Sequence, residues 1–240
     1  MSELDVQVLR DSFAQPTQMG GAILAPSNWH EIVPKVIPMP TQIGVNTLQG
    51  IVDYIKADVD DLVGQPTMVH VVDERIVVIR GALNYDEGSQ RPAYLNAAIA
   101  DQDFPFGRAI SAEAMIIGLQ TRFVQTKERD DLVVLLGSIR ENHVRETVDD
   151  GLSQEVKTQR GVTLVTTTRV PSPVLLAPFR TFREVEQPGS PFVVRLKAAP
   201  DGDQPLVTLH EADGGAWKIE AVARIAAWLR DQLPMSHIIA

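Results

Sequence analysis

The amino-acid sequence predicts an α+β fold in which antiparallel strands form sheets and a few helices pack on one face of them. Two observations support this class. Apolar residues recur at helical spacing in only a few separated stretches, whereas short runs rich in β-branched residues dominate elsewhere, especially after residue 143. The predicted strands also follow one another in runs, which is typical of antiparallel sheets.

The first 45 residues are expected to form an extended, proline-rich N-terminal arm, and residues 46–240 an α+β domain. Proline fixes φ and lacks a backbone donor, so the arm cannot hold a long helix or a central strand. Its apolar residues favour packing on its own domain or on a neighbouring subunit. The domain forms one unit or two subdomains, 46–143 and 144–240. The prolines of the arm are Pro16, Pro26, Pro34, Pro38 and Pro40.

Three stretches are predicted to be amphipathic helices because their apolar residues share one helical face. Asn46 or Thr47 caps the first, and Ser111 caps the second. A further stretch, Asp131–Asn142, fits either a helix or a strand, since its apolar run is short. The three helices run over Thr47–Val63, from Ser111 to about Gln125, and over Trp217–Leu233.

Eight stretches are predicted to be strands, each bounded by polar residues, proline or glycine. Asp73-Glu74 and Arg160-Gly161 are expected to close two hairpins, and the segment from Gln187 to Ser190 a third. The strands are Met68–Val72, Arg75–Ile79, Ala93–Ile99, Gln154–Gln159, Val162–Val170, Phe179–Glu186, Phe192–Lys197 and Leu206–Glu211.

The composition excludes several functional classes. The 240 residues include no cysteine, which excludes a disulfide scaffold, a thiolate metal site and a cysteine nucleophile. A net charge of −9 argues against a generic nucleic-acid coat, which needs clustered basic residues. No apolar run approaches the roughly 20 residues of a membrane span, and the first residues lack the apolar region of a secretory signal. We therefore expect a cytoplasmic protein without a membrane partner.

The sequence contains none of the common catalytic or phosphate-binding motifs. A GxxxxGKS/T loop, a GxGxxG turn, a GxSxG elbow and an HExxH helix are all absent. Aromatic residues make up 5% of the chain and form no basic-aromatic stripe that could stack bases. We therefore expect binding rather than catalysis, and no cofactor.

A group of basic residues in the C-terminal half is the best candidate for an anion-binding site. Guanidinium groups hold phosphate or carboxylate through paired hydrogen bonds. Arg180 and Arg183 would face opposite sides of a regular strand, so one of them would join Arg195 across a hairpin. The alternative interpretation is ion pairing with Glu184 and Glu186. The group comprises Arg169, Arg180, Arg183, Arg195 and Lys197.

A second cluster, His210, Glu211 and Asp213, has side chains that can bind a divalent metal or transfer protons. Adjacent strand residues point to opposite faces, so His210 and Glu211 are not expected to share an ion. Asp213 precedes two glycines and is typical of a turn that starts a helix. We therefore predict no metal site and keep a metal-dependent hydrolase as the weaker alternative. Asp149-Asp150-Gly151 lacks the ligand spacing of an EF-hand and is interpreted as a turn.

Several segments resemble a family of phage and prophage proteins that includes YfdQ. The resemblance extends over most of the chain from Thr47 onward and includes no catalytic signature. It implies a phage-encoded protein that acts in the host cytoplasm. The segments are Asn46–Asp58, Phe104-Pro105-Phe106-Gly107 with Ile116–Gln120, Asp149–Val156, Pro171–Val185 and Leu209–Lys218.

These observations leave three hypotheses for function. The leading one is a phage accessory protein that acts by binding, as a homo-oligomer. The first alternative is a protein that sequesters an anionic small molecule or nucleotide at the basic group, in an anti-defence role. The second is a DNA replication or recombination accessory protein, because the helix and three strands predicted over 47–99 resemble half of a sliding-clamp domain.

Overall fold

The structure is a computed structural model, and its described residues form an α+β fold, as predicted. Two compact units divide the chain: Met1–Pro40 with Leu83–Pro92, and Thr41–Ala82 with Ala93–Ala240. The described residues are 17–19, 22–24, 39–62, 64–84, 90–100, 104–141, 143–149, 154–160, 164–197 and 205–240.

Four helices and fourteen strands lie within the described residues. The helices are α1 (Leu48–Ala57), α2 (Ala112–Arg122), α3 (Lys127–Glu141) and α4 (Ala216–Gln232). The strands are β1 (Thr17–Met19), β2 (Ala22–Leu24), β3 (Ile43–Val45), β4 (Met68–Val71), β5 (Ile76–Arg80), β6 (Ala93–Ala98), β7 (Ile110–Ser111), β8 (His143–Asp149), β9 (Gln154–Arg160), β10 (Leu164–Val170), β11 (Val174–Leu176), β12 (Ser190–Lys197), β13 (Leu206–Glu211) and β14 (His237–Ile239).

In the smaller unit, β1 and β2 pair as short antiparallel strands. Both belong to the stretch predicted to be an extended arm. The prediction that the arm packs on its own domain or on a neighbouring subunit concerns residues that mostly lie outside the described part of the chain.

A five-stranded sheet in the order β14-β4-β5-β6-β3 forms the first core of the larger unit. The central strands are antiparallel, whereas β14 and β3 each add a parallel edge. Alternate residues such as Val69, Val77 and Leu95 point to one face, where they pack against the apolar stripes of α1 and α4. Each of these helices therefore buries one side and leaves the other to solvent.

A four-stranded antiparallel sheet in the order β11-β12-β13-β7 forms the second core. Its inward residues, among them Phe192 and Leu209, pack against Leu119 of α2 and Leu136 of α3. The segment left open between helix and strand is thus helical. Both cores draw residues from either side of residue 143, the boundary considered for two subdomains.

The strands β10-β9-β8 form a third, antiparallel sheet. The hairpin of β9 and β10 was predicted from the sequence and is confirmed by their pairing. The strand β8 extends this sheet, and its pairing with β9 shifts register between Val144 and Glu146.

The first helix is shorter than predicted, because it ends at Ala57 instead of Val63. Thr47 caps its start, with its hydroxyl accepting a hydrogen bond from the Gly50 N–H at 3.1 Å. Asp58 takes a positive φ of 47° and closes the helix. Aspartate adopts this left-handed region more readily than most residues, and it is a poor helix former.

The predicted strand Phe179–Glu186 is wrong: the residues form an irregular loop, and β11 takes the place beside β12. The buried amide of Gln187 explains the difference. Its oxygen accepts from the N–H of Arg180 at 3.0 Å, and its nitrogen donates to the carbonyl of Phe182 at 2.9 Å. These bonds satisfy backbone groups that would otherwise need a strand partner.

Among the described residues, no helix has the length and hydrophobicity needed to cross a bilayer.

Candidate anion-binding site

The loop that carries Arg180 is held by both cores. Thr181 donates its hydroxyl hydrogen to the carbonyl of Glu74, in the turn between β4 and β5, at 2.6 Å. The Phe179 N–H donates to the carbonyl of Arg122, at the end of α2, at 2.9 Å. The next side chain after Thr181, Phe182, is fully buried in the first core. The position of Arg180 is therefore fixed from several directions.

The Arg180 guanidinium lies between aromatic rings and is almost completely buried, with 6% of its side chain exposed. Its carbon lies 3.7 Å from the ring centre of Trp217 and 5.8 Å from that of Phe192. Nη1 donates to Oε1 of Glu211 at 2.5 Å, and Nη2 donates to Oγ of Ser190 at 2.5 Å. Stacking and charge-assisted hydrogen bonds hold the group in one orientation.

Burial disfavours the charged form of Arg180. Burial lowers the pKa of Arg180 to about 10, although Glu211, Asp213 and Glu74 oppose this effect. Two buried donors, Nε of Arg180 and Nε1 of Trp217, also have no hydrogen-bond partner among the described residues. A further negative charge close to this guanidinium would thus be stabilising.

A cleft with a volume of about 310 Å³ lies beside Arg180. This size falls at the lower end of the roughly 300–1,000 Å³ typical of small-molecule sites. The described residues of the lining include four cations, two carboxylates and four aromatic rings. They are Glu74, Arg75, Phe104, Phe106, Arg122, Pro178, Phe179, Arg180, Glu211, Trp217 and Lys218.

Three of these cations lie where a ligand can reach them. Lys218 follows Trp217 in the first turn of α4, with 56% of its side chain exposed, and Arg75 has 33% exposed. Both approach the carboxylate of Glu74, at 3.4 Å and 4.0 Å respectively. Arg122 is exposed at the end of α2. The cleft therefore carries an excess of positive charge in an acidic protein.

Half-buried phenylalanines form the aromatic side of the cleft. The rings of Phe104 and Phe106 lie 4.8 Å apart, and Phe106 stacks on Phe192 at 5.3 Å. Phe104 also packs directly over Gly118 of α2, where an added Cβ would lie 2.6 Å from its ring carbon Cε2. The absence of a side chain at Gly118 thus allows this ring to reach its position.

Of the basic group predicted from the sequence, Arg180 is the only member among the described residues that line this cleft. The expectation that an arginine of the loop would share a strand face with Arg195 is wrong. Arg180 contacts Ser190 and Phe192, which point to one face of β12. Arg195 and Lys197 lie at odd positions of the same strand and therefore point to its opposite face.

The remaining two members of the group, Arg183 and Arg169, are not among the described lining residues of the cleft. Arg183 is exposed and stacks on Phe179 at 3.7 Å, and burial together with the nearby Arg122 lowers its pKa. Arg169 pairs with Glu155 through the backbone of β10 and β9, and its side chain lies outside the described part.

The alternative interpretation of this group is ion pairing with Glu184 and Glu186. Arg180 instead pairs with Glu211. Glu184 accepts a hydrogen bond from the N–H of Gln49 at 3.2 Å, and Glu186 lies 3.4 Å from Arg224.

His210, Glu211 and Asp213 do not form one site, because their side chains have separate surroundings. Glu211 binds Arg180, whereas His210 lies one residue earlier on β13 and is exposed. Asp213 accepts hydrogen bonds from the N–H groups of Gly215 at 3.0 Å and Trp217 at 3.1 Å, which caps α4 as the sequence predicted. In the described part of the chain, no group of three His, Asp or Glu side chains is placed to hold a metal ion. Asp149 ends β8, and Asp150-Gly151 lies outside the described residues.

Sequence reasoning missed most of the cleft. Glu74, Arg75, Arg122 and Lys218 come from three elements far apart in the chain, and no sequence spacing connects them to Arg180. The one local signal is that Trp217-Lys218 follows the predicted turn at the start of the last helix. This signal indicates a basic residue near a helix N-terminus but not its partners.

Two larger cavities, each of about 460 Å³, lack this concentration of cations among their described lining residues. One lies beside Tyr54, whose hydroxyl donates to Asp60, and burial with this carboxylate raises the pKa of Tyr54. The other is lined mainly by apolar residues next to β11 and includes Arg183. The cleft at Arg180 is therefore the better candidate for binding an anion.

Comparison with known proteins yields no match to this chain, whether among protein-family models, curated proteins or solved structures. The relationship to the family that includes YfdQ thus stays a prediction from the residues quoted above.

Proposed function

We propose that this chain is a binding protein that captures an anionic small molecule with a flat ring, such as a nucleotide, in the cleft beside Arg180. The observation that carries the proposal is the buried Arg180 guanidinium, which Glu211 and Ser190 hold in one orientation at the wall of a cleft. The described lining of this cleft contains four cations, Arg180 included, against two carboxylates.

The cations of the rim supply the contacts for the anionic group. Arg75, Arg122 and Lys218 present donors from the first hairpin, α2 and α4, so a phosphate between them would receive charge-assisted hydrogen bonds from several directions. Such bonds are stronger in a cleft than in open water because the surrounding protein lowers the local dielectric constant.

The aromatic side of the cleft accounts for the flat ring. Phe104, Phe106 and Phe179 are half-buried and present apolar surface to the cleft. A purine or pyrimidine stacked on such a ring gains about 1–3 kcal/mol. A ligand that combines an anionic group with a flat ring would use both sides of the cleft.

The lining favours binding over catalysis. Its described side chains include no hydroxyl, thiol or imidazole group, and its carboxylates Glu74 and Glu211 hold cations. The side chains usual for nucleophilic attack are therefore missing from this lining, and the two candidate bases are engaged in ion pairs.

Calorimetric titration and thermal unfolding with adenosine 5′-monophosphate and other nucleotides test this proposal. A ligand at 100 times its Kd should stabilise the fold by about 2.7 kcal/mol. Arg122→Gln and Lys218→Gln should each weaken binding, since each removes a rim cation. Arg195→Gln is the matched control, because this arginine points to the other face of β12. If no nucleotide binds, or if the control weakens binding as much as the rim variants do, the proposal is wrong.

We also propose that the chain self-associates and that it acts in the host cytoplasm as a phage-encoded protein that lowers the free concentration of a host nucleotide. Self-association is supported by the edge strand β14, whose last residue, Ile239, is 49% exposed. Met235, two residues before this strand, is 93% exposed. The phage setting rests on the resemblance alone. Light scattering at micromolar concentration should yield a mass above the 26.4 kDa of one chain; a monomer would contradict self-association.

A further inference from the structure

We propose that Glu211 acts as an internal anion that the ligand must displace from Arg180, and that phosphate monoesters, which carry two charges, overcome this cost whereas singly charged anions only replace the carboxylate. This inference rests on the proposed function of the cleft. It concerns which residue the ligand replaces and how much charge the ligand then needs.

The guanidinium of Arg180 offers an incoming anion little surface while Glu211 is in place. Only 6% of the Arg180 side chain is exposed, one face lies on Trp217, and Nη2 is bonded to Ser190. Nη1 is bonded to Oε1 of Glu211, which itself lines the cleft. A ligand oxygen therefore reaches Nη1 by taking the position of that carboxylate oxygen.

Glu211 is able to leave, whereas Ser190 is not. Glu211 is the last residue of β13, just before the turn that leads into α4, and 39% of its side chain is exposed. Once displaced, its carboxylate returns to water and is not left buried without a partner. Ser190 is 1% exposed inside the second core, so its bond to Nη2 remains in the complex.

The exchange of one anion for another determines the preferred charge. A singly charged ligand only replaces the charge that Glu211 already provides, and it must also lose its own water. A phosphate monoester carries nearly two negative charges at neutral pH, since its second proton dissociates near pH ~6. It therefore brings one negative charge more than Glu211 provides, close to Arg180, Arg75 and Lys218.

A pair of ligands with the same ring and different charge tests this inference. We would measure the Kd of adenosine 5′-monophosphate, a monoester, and adenosine 3′,5′-cyclic monophosphate, a singly charged diester, by calorimetry at neutral pH. The wild-type protein should prefer the monoester by about tenfold or more, the size of a charge-assisted hydrogen bond. Glu211→Gln removes the same displacement step for both ligands, so each should bind about tenfold more tightly and the ratio of the two Kd values should not change.

Glu74→Gln is the matched control, because it removes the other carboxylate among the described lining residues. Glu74 holds Lys218 and Arg75, and Glu211 holds Arg180. The carboxylate of Glu74 stays beside the bound ligand, so its removal should tighten the doubly charged monoester more than the diester and raise the preference. If Glu211→Gln raises the preference in the same way, the Glu211 carboxylate also stays in the complex, and displacement is wrong.

Other outcomes separate the inference from the proposed function. If both ligands bind and Glu211→Gln tightens neither of them, displacement is wrong and binding in the cleft stands. If neither ligand binds to any variant, both are wrong. Should Glu211→Gln fail to fold, Glu211→Asp decides, because its shorter side chain weakens the hold on Arg180 and must tighten both ligands. A crystal structure of the monoester complex in which Glu211 still contacts Arg180 would also overturn the inference.

Discussion

The guanidinium of Arg180 stacks on the indole ring of Trp217, with 3.7 Å between its carbon and the ring centre. This contact joins the loop after β11 to the first turn of α4. The Asp213 carboxylate fixes the position of Trp217 by accepting a hydrogen bond from its backbone N–H. The Gln187 side chain accepts a hydrogen bond from the backbone N–H of Arg180 in the same way. The candidate site therefore depends on backbone contacts made by residues outside it.

Replacing Arg180 by Met should abolish anion binding at a modest cost in stability. Methionine retains apolar contact with Trp217 and Phe192, and the partly exposed Glu211 returns to water. We expect the free energy of unfolding to fall by about 1–2 kcal/mol, mainly because the Ser190 hydroxyl loses its buried partner. Urea unfolding and calorimetry measure the two effects. Nucleotide affinity that survives in this variant would contradict the role of Arg180.

Anion affinity should fall as the pH rises through about 10, because only the protonated form of Arg180 binds an anion. Burial lowers the pKa of Arg180 to about 10. Its charge is therefore present below this pH and lost above it, where affinity should drop about tenfold per pH unit. Calorimetry with adenosine 5′-monophosphate measures the profile.

The pH experiment is best done on Lys218→Arg, so that the described lining of the cleft contains arginine as its one kind of cation. Circular dichroism at each pH confirms that the fold persists. Affinity that stays constant well above pH ~10 would show that Arg180 keeps its proton in the free protein.

Gly118→Ala should destabilise the fold and disturb the aromatic side of the cleft. The new methyl group would lie 2.6 Å from the ring of Phe104, which packs between other phenylalanines and has little room to move. Overpacking of this kind costs about 1–3 kcal/mol, more than the gain in helix propensity.

Gly137→Ala is the control for this substitution, since it also lies within a helix. No described atom lies within 4 Å of its added Cβ, so it should stabilise the protein by up to about 1 kcal/mol. Urea unfolding of the two variants should therefore move in opposite directions. Equal effects would mean that Phe104 adjusts without cost.

Gln187→Glu should destabilise the loop that carries Arg180. A carboxylate can still accept from the N–H groups of Arg180 and Thr181, but it cannot donate to the carbonyls of Phe182 and Val185. A buried charge facing two carbonyl oxygens should cost about 2–4 kcal/mol. Gln120→Glu, on the exposed side of α2, is the control and should change stability by less than about 0.5 kcal/mol. Urea unfolding that shows equal effects would argue against the role given to the Gln187 amide.

Elements with a strong local signal could be predicted from the sequence. The hairpin of β4 and β5 and the caps at Thr47 and Ser111 depend on residues close together in the chain. The end of α1 was harder to predict, because apolar residues continue at helical spacing past Ala57. The backbone nevertheless leaves the helix there, since Asp58 and Asp61 adopt positive φ. A short alternating segment such as 179–186 also satisfies the strand pattern, although the Gln187 side chain supplies its hydrogen bonds.

The sequence by itself determined the α+β class, three of the four helices and half of the strands that the structure describes. Hydrophobic periodicity, caps and turns are local properties, and they are visible in a single sequence. Only the tertiary structure decided which carboxylate binds Arg180, which ring it stacks on, and which cations share its cleft. Those partners come from the first hairpin, α2, β13 and α4, and they meet because two sheets bury their apolar faces against different helix pairs. Contacts between residues so far apart follow from packing, which no local pattern records.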